Sequence, residues 1–117
     1  MKISIFNVGG ACCLLRIDDT LTIGIDPFLS PAGTVTEGRF MTSKRLSSPA
    51  YIEEDWRAVD LWLITHGHFD HLDDKGLRCV SRTVPVIIEP RLKKRFAGFS
   101  MAKPLTHTTS ERLQING

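Results

Sequence analysis

The sequence predicts an α/β fold in which helices flank a mixed β-sheet. Residues 11–17 and 21–26 are two apolar segments joined by a tight polar turn, a pattern typical of an antiparallel hairpin. Residues 61–65 and 84–89 are almost continuously apolar, as strands are when both faces of a sheet are covered inside an α/β protein. Segments with helix start and stop residues lie between and after these strands and supply the flanking helices.

Length and composition predict one small domain spanning residues 1–117. The chain is 42% hydrophobic and 24% charged, which is the ordinary range for globular proteins. Its net charge of +2 gives no special attraction to nucleic acid or to acidic membranes, so we expect neither as a partner. No apolar run approaches the roughly 20 residues that a membrane-spanning helix needs.

The N-terminus and the cysteines favour a cytoplasmic protein. The opening "MKISIFNVGG" has too short an apolar stretch to be a secretory signal. The chain has three cysteines, Cys12, Cys13 and Cys79, which cannot all pair within it. We interpret them as reduced thiols that serve as small apolar residues.

The first strands and the loop after them are predicted from the alternation of apolar and polar residues and from the turn-forming residues between them. Residues 2–7 alternate apolar and polar side chains, which predicts a half-buried strand ended by Gly9 and Gly10. Asp18, Asp19 and Thr20 form the turn of the hairpin. Residues 27–49 are rich in Pro, Gly, Ser and Thr without any period, and loops this long are usually functional or mobile.

Two short helices are predicted in the middle of the chain. The segment "SPAYIEEDW" has Ser48 as the predicted N-cap and Pro49 at the first helical position. The segment "DDKGLRCVS" follows with Asp73 as its predicted cap.

The last quarter of the chain predicts a helix and then a strand. "PRLKKRFAGF" opens with Pro90 and closes with Gly98, as helices commonly do. "ERLQING" is predicted to be a strand that runs into Asn116 and Gly117, a strong signal for a hairpin turn. No return strand follows this turn, which suggests that the sequence is incomplete as a fold.

The stretch "THGHFDHLDD" holds three of the four histidines within six residues. Neutral imidazole and carboxylate are good ligands for zinc and similar divalent ions. His66 and His68 are close enough in sequence to reach one ion, and Asp70 and His71 can face a second position beside it. Gly67 lets the backbone bend between these ligands. A polar surface loop with Asp70 as a turn residue explains one or two of these positions, but not four directly after a buried strand.

This stretch also carries a resemblance to a known family. "LITHGHFDHLD" resembles the H-x-H-x-D-H signature of the metallo-β-lactamase fold superfamily. "VGGACCLLRIDDTLTIGIDPFLSP" is similar to the first strands of that fold and to its early aspartate motif, here Asp26. The layout is similar to the branch of N-acyl-phosphatidylethanolamine phospholipase D-like and ascorbate-phosphate lactonase-like hydrolases. The resemblance covers about residues 3–117 and is most specific at 61–73.

The resemblance implies a fold and a set of roles. The fold is the N-terminal half of an αββα sandwich. His66 and His68 belong to a first metal site, and Asp70 and His71 to a second, with Asp70 also catalytic through proton transfer or water orientation. Asp26 orients a ligand histidine, although from sequence alone it could equally be an aspartate that opens an Asp-Pro turn. One or two zinc ions are the expected cofactor, with manganese or iron as alternatives.

The sequence departs from the superfamily pattern in two ways. Gly10 stands where related sequences often have histidine. The superfamily also takes a third histidine, a bridging aspartate and a final histidine from later in the chain, whereas His107 is the only histidine here after His71. We interpret His107 as a loop residue. We therefore expect a truncated product, a fragment or a subunit, completed as an oligomer or by a partner chain.

The leading functional hypothesis is a metal-dependent hydrolase. Such an enzyme uses a metal-activated water on the ester, lactone or phosphodiester group of a small molecule. The alternative is a non-catalytic fragment or subunit that needs a partner chain to complete the metal site. Among the other residues, Phe69 is predicted to be a pocket wall, and the basic run 91–96 to be the solvated face of a helix. An anion contact is conceivable for Arg39, Lys44 and Arg45.

Overall fold

A computed structural model describes residues 1–38, 40–50 and 52–105. Its regular elements, in chain order, are β1 (Ile3–Gly9), β2 (Cys12–Ile17), β3 (Leu21–Ile25), β4 (Val35–Glu37), β5 (Thr42–Lys44), α1 (Glu53–Arg57), β6 (Leu61–Ile64), α2 (Asp74–Cys79), β7 (Val86–Ile88) and β8 (Ala102–Pro104). The predicted α/β class is confirmed. The part of the chain that the structure describes contains no helix long and apolar enough to cross a membrane.

The described strands form one large mixed sheet and one small hairpin. The large sheet has six strands in the order β1-β2-β3-β6-β7-β8. The pairs among β1, β2 and β3 are antiparallel, whereas β6, β7 and β8 add in parallel. This arrangement confirms the predicted mixed sheet, and it places the carboxyl ends of β3, β6 and β7 along the same edge.

The predicted hairpin forms between β2 and β3. Its register pairs Ile17 with Leu21, and the amide of Thr20 donates to the carbonyl of Ile17 over 3.1 Å. Asp18 and Asp19 have φ angles of 49° and 58°. Two consecutive left-handed residues match the right-handed twist of the flanking strands, and aspartate tolerates that conformation better than most residues.

The hydrophobic core lies on one face of the sheet. Trp62 is fully buried at its centre, and Gly24 on the adjacent strand lies directly beneath the indole ring. A Cβ atom at Gly24 would lie only 2.5 Å from that ring, so glycine is needed for this packing. The helices and the C-terminal turns close the core with Trp56, Cys79, Leu92, Phe96 and Phe99.

The opposite face of the sheet is also apolar but is only partly covered. The strand register places a continuous set of side chains on it: Ile3, Ile5, Leu15, Ile17, Leu21, Ile23, Ile25, Leu63 and Ile87. Ile3 and Ile5 on the edge strand are 55% and 70% exposed, and the others are half-buried. We call this set the open sheet face.

The cysteines are free thiols, as predicted. Cys12 and Cys79 are buried in the core, and Cys13 is half-buried on the other face of β2. Burial raises the pKa of the Cys12 thiol to about 12. Cys12 therefore behaves as a small apolar side chain.

The predicted start of the first helix is wrong. α1 begins at Glu53 after the N-cap residue Ile52, and not at Ser48 and Pro49. The Ser48 hydroxyl instead accepts a hydrogen bond from the amide of Ala32 over 3.0 Å. The carboxylate of Asp55 accepts from the amide of Ile52 over 3.1 Å and so stabilises the later start.

The Asp73 cap is confirmed, but the predicted helix over residues 90–98 is not. Only Pro90–Leu92 forms a single 3₁₀ turn, and irregular turns follow it. The buried side chains Phe96 and Phe99, whose ring centroids are 5.0 Å apart, hold these turns against the core. Packing here overrides the helix start and stop residues that the sequence shows.

Three short strands were not predicted, and two predictions lie outside the described residues. The loop 27–49 contains the small hairpin of β4 and β5, whose strands are too short to show a period. β8 extends the sheet beyond β7. The predicted strand "ERLQING" and the predicted loop residue His107 lie outside the described residues.

Candidate metal site

Residues 65–73 connect β6 to α2 and hold three histidines, and we call them the histidine loop. This loop begins at the carboxyl end of β6, next to the carboxyl end of β3. Asp26 follows β3, and its amide donates to the carbonyl of Leu63 on β6 over 3.0 Å. Its φ angle of 50° is left-handed, and the residue is only 2% exposed. The parallel pairing of the two strands therefore sets a buried carboxylate beneath the loop.

Asp26 accepts hydrogen bonds from three groups of the loop. Its Oδ1 accepts from the amide of Thr65 over 2.7 Å. Its Oδ2 lies 2.7 Å from the hydroxyl of Thr65 and 2.7 Å from Nδ1 of His71. A carboxylate that accepts from Nδ1–H fixes the orientation of the imidazole and leaves Nε2 free. Asp26 is thus placed to do what the resemblance implied, although its effect on a metal ion stays a prediction.

Three of the four predicted ligands lie close together. The potential ligand atoms of His66, Asp70 and His71 all lie within 4.8 Å of one another. Nε2 of His71 is 4.0 Å from Oδ2 of Asp70, and the rings of His66 and His71 are 3.9 Å apart. Two imidazoles and a carboxylate form a donor set suited to zinc and other divalent ions.

His68 lies beside this group but is not part of it. Its ring centroid is 4.6 Å from that of His66, and its side chain is exposed. Its carbonyl accepts from the amides of His71 and Leu72, each over 2.9 Å, so the backbone of His68 starts the turn that brings His71 back. The structure therefore gives His68 a clear place in the loop, and its predicted role as a ligand stays a prediction.

Asp73 ties the end of the loop to the rest of the molecule. As the N-cap of α2 it accepts from the amide of Gly76 over 2.7 Å. It also accepts from the amides of Leu29 and Ser30, over 3.2 Å and 2.8 Å. One carboxylate thus joins the helix after the histidine loop to the segment after Asp26.

An open cleft of about 650 Å³ lies beside the histidines. It is lined by His66, Gly67, His68, Glu89, Arg91 and Leu92. A Cβ atom at Gly67 would lie 2.7 Å from the side chain of Leu92, so glycine lets the loop approach this wall closely. Phe69, the predicted pocket wall, instead lines smaller cavities together with Thr36.

The other cationic candidates have internal or exposed positions. The guanidinium of Arg45 lies 3.8 Å from the centre of the Phe28 ring and donates to the carbonyls of Phe28 and Ser47, each over 2.8 Å. Burial lowers the pKa of Arg45. Lys44 is exposed, and Arg39 lies outside the described residues. The charged side chains of the run 91–96 are exposed, which agrees with a solvated face.

Phe28 also occupies the space beside Gly10. A Cβ atom on Gly10 would lie 2.5 Å from the Phe28 ring, and Gly10 has a left-handed φ angle of 55°. Glycine at this position therefore suits both the backbone and the packing of Phe28, and a histidine here would strain the backbone and require the Phe28 ring to shift.

Thr65 also belongs to the site, although it was not among the predicted site residues. Besides its contacts to Asp26, its hydroxyl lies 3.0 Å from Nδ1 of His66 and 3.4 Å from Nδ1 of His71. The available signal was a polar residue that ends an apolar strand directly before the first histidine.

Comparisons with known proteins point to metal-dependent hydrolases. No family model matches the chain, and no curated protein matches it. A solved structure described as a possible metal-dependent hydrolase from Veillonella parvula DSM 2008 superposes with a TM-score of 0.75 at 26% identity, over 100% of this chain and 45% of that one.

Two further solved structures are similar at lower identity. An isothiocyanate hydrolase from Delia radicum gut bacteria matches with a TM-score of 0.68 at 22% identity, over 87% of this chain and 41% of that one. A structure described as a "Putative metal-dependent hydrolase" from Parabacteroides distasonis ATCC 8503 matches with a TM-score of 0.54 at 22% identity, over 88% of this chain and 37% of that one. At 22% identity these two likenesses concern the fold alone.

The chain spans less than half the length of each of these three solved structures. Its mixed sheet with few helices fits a half-domain of a metallo-hydrolase fold, which confirms the predicted fold class. The proteins it is similar to support a general resemblance to hydrolases that depend on metal.

Proposed function

We propose that this chain carries the metal-binding half of a hydrolase that acts on a small molecule with water. The supporting observation is the convergence of His66, Asp70 and His71 above the buried carboxylate of Asp26. The likeness to the Veillonella protein supports the same class of activity.

The residues present fit a divalent cation, with zinc first and manganese or iron as alternatives. His66 and His71 would supply imidazole nitrogens, and Asp70 a carboxylate oxygen, with His68 as a further ligand beside them. When bound, such an ion acts as a Lewis acid that makes water more acidic and stabilises negative charge.

The protein's own groups orient the ligands and handle protons. Asp26 holds the His71 ring by its Nδ1 atom. The Nε2 atom, 4.0 Å from Oδ2 of Asp70, is therefore kept in a fixed orientation. The carboxylate of Asp70 is exposed next to Nε2 of His71. It is therefore accessible to accept a proton from a substrate or from water, or to orient that water.

The cleft beside the histidines supports a small-molecule substrate. Its volume of about 650 Å³ falls within the usual range for ligand pockets. We propose an ester, lactone or phosphodiester group as the target. The name of the isothiocyanate hydrolase adds a related electrophilic carbon as an option, and each of these groups is open to attack by water.

Metal analysis tests this proposal. The purified chain, reconstituted with zinc and then dialysed, should retain metal, and His66→Ala, Asp70→Asn and His71→Ala should each retain much less. Asp74→Asn is the matched control, since Asp74 lies close in sequence but its side chain is 89% exposed. Equal metal in all of these variants would overturn the site.

A second candidate is a non-catalytic fragment or subunit whose metal site needs another chain, or an oligomer, to be completed. It is favoured by the small number of ligands within the described residues and by the open cleft. In this case the 117-residue chain binds zinc weakly and hydrolyses little by itself. Tightly held stoichiometric metal together with turnover of a model ester would contradict it.

A further inference from the structure

We propose that Thr65 is a positioning residue that fixes the tautomer of His66. In this tautomer Nδ1 carries the proton, and Nε2 is left free for a divalent cation. The relevance of this role to metal binding rests on the proposed function, but the tautomer itself does not.

The proton count at Asp26 carries the inference. A carboxylate only accepts hydrogen bonds, so both groups 2.7 Å from its Oδ2 must donate. These groups are the hydroxyl of Thr65 and Nδ1 of His71. His71 therefore has its proton on Nδ1, and the hydroxyl of Thr65 donates its single proton to Asp26.

The same count then determines His66. With its proton committed to Asp26, the Thr65 oxygen can only accept from Nδ1 of His66, which lies 3.0 Å away. His66 must therefore carry its proton on Nδ1. The 3.4 Å distance from the Thr65 oxygen to Nδ1 of His71 is longer than the 2.7 Å contact of His71 with Asp26, so the two histidines do not compete for one acceptor.

The consequence is that one buried carboxylate orients two imidazoles. It acts on His71 directly and on His66 through the hydroxyl of Thr65. Thr65 is held for this task because its amide also donates to Asp26 over 2.7 Å, which limits the movement of its backbone. Free neutral imidazole favours the proton on Nε2, the opposite of what a ligand bound through Nε2 needs.

Nitrogen NMR of the metal-free chain tests the tautomers directly. In ¹⁵N-labelled protein at about pH 8.5, where free imidazole is neutral, we expect an unprotonated Nε2 in His66 and in His71. His68 is the internal reference, since its ring has no hydrogen bond within the described residues and should keep its proton on Nε2. A protonated Nε2 in wild-type His66 would overturn the proposal.

Substitutions separate the hydroxyl from the shape of the side chain. Thr65→Val keeps the shape and removes the acceptor, so His66 should shift toward the Nε2–H form while His71 stays unchanged. Thr65→Ser should preserve the wild-type tautomer. Thr34→Val is the matched control, since the Thr34 hydroxyl donates only to the carbonyl of Pro31 over 2.8 Å. An unchanged His66 in folded Thr65→Val would overturn the proposal.

Zinc titration then connects the tautomer with binding. Loss of a partner that orients a metal ligand typically costs about tenfold or more in affinity, so Thr65→Val should bind zinc about tenfold more weakly and Thr65→Ser nearly normally. If the tautomers are as expected but the wild type binds no zinc, the proposed function fails and the role of Thr65 in the tautomer stands. If zinc binds but His66 has the other tautomer, the role of Thr65 fails and the proposed function stands.

Discussion

At the scale of single residues, Asp26 performs two tasks that the sequence presented as alternatives. As the opener of an Asp-Pro turn it has a left-handed backbone, and its carbonyl accepts from the amide of Phe28 over 2.8 Å. As a buried acceptor its carboxylate receives the hydrogen bonds of Thr65 and His71. The turn fixes the backbone, and the fixed backbone directs the carboxylate to the loop.

Replacing Asp26 with asparagine should weaken metal binding more than it weakens the fold. Asparagine tolerates the left-handed φ angle of 50°, so the turn survives. The asparagine amide has one acceptor oxygen and no charge, so it cannot serve both the two groups at Oδ2, the Thr65 hydroxyl and His71 Nδ1, and the Thr65 amide that donates to Oδ1. We expect zinc affinity to fall by roughly 10- to 100-fold, measured by competition with a chromophoric chelator. Asp74→Asn serves as the control, and equal affinity for zinc in Asp26→Asn and wild type would contradict the role of Asp26.

The residues of the candidate site were predictable only where the sequence brings them together. His66, His68, Asp70 and His71 are within one short loop, so their spacing alone indicated a cluster. The contact from Asp26 to His71 spans 45 residues, and only the resemblance indicated it. The role of Thr65 follows from which groups donate hydrogen bonds to Asp26, and only the structure shows these contacts.

At the scale of elements, short-range patterns predicted the strands better than the helices. Alternation, continuous apolar runs and the Asp-Asp turn located β1, β2, β3, β6 and β7 to within two residues. The predicted helix start at Ser48 failed because capping depends on where the first turn packs, and Trp56 sets that position by burying its ring in the core. The turns after Pro90 follow the packing of Phe96 and Phe99 in the same way.

Asp73 connects two elements, and its removal should be costly. Its carboxylate satisfies the amides of Leu29, Ser30 and Gly76, so Asp73→Ala leaves three donors without that acceptor. We expect a loss of about 2–4 kcal/mol in the free energy of unfolding, which combines the loss of a helix cap with the loss of further hydrogen bonds to a charged group. Urea denaturation followed by circular dichroism measures it.

The adjacent aspartate provides the control for this prediction. The side chain of Asp74 is 89% exposed, and its nearest charged partner, Arg95, is 3.7 Å away. Asp74→Ala should therefore cost under about 1 kcal/mol. Equal losses in the two variants would show that Asp73 acts only as a generic acidic residue near a helix start.

At the scale of the whole molecule, one face of the sheet is covered by the core and the other is only partly covered. The core, with Trp62 at its centre, covers one side, whereas the open sheet face presents aliphatic side chains from five strands. A monomer rarely leaves so continuous an apolar surface in water. This asymmetry agrees with the comparisons, in which the chain matches less than half the length of each of three solved structures named as hydrolases.

The open sheet face should cause the 117-residue chain to self-associate in solution. Two such faces can stack as aligned sheets do, and burying an isoleucine side chain contributes roughly 2 kcal/mol. Because a two-fold contact uses each residue twice, Ile5→Lys should raise the dimer dissociation constant by at least about tenfold. Sedimentation equilibrium measures this constant. Ile52→Lys is the matched control, since Ile52 is 62% exposed but lies outside the sheet, at the start of α1. A wild-type chain that is monomeric at about 100 µM, well above the micromolar range expected for a modest interface, would contradict the role of this face in association.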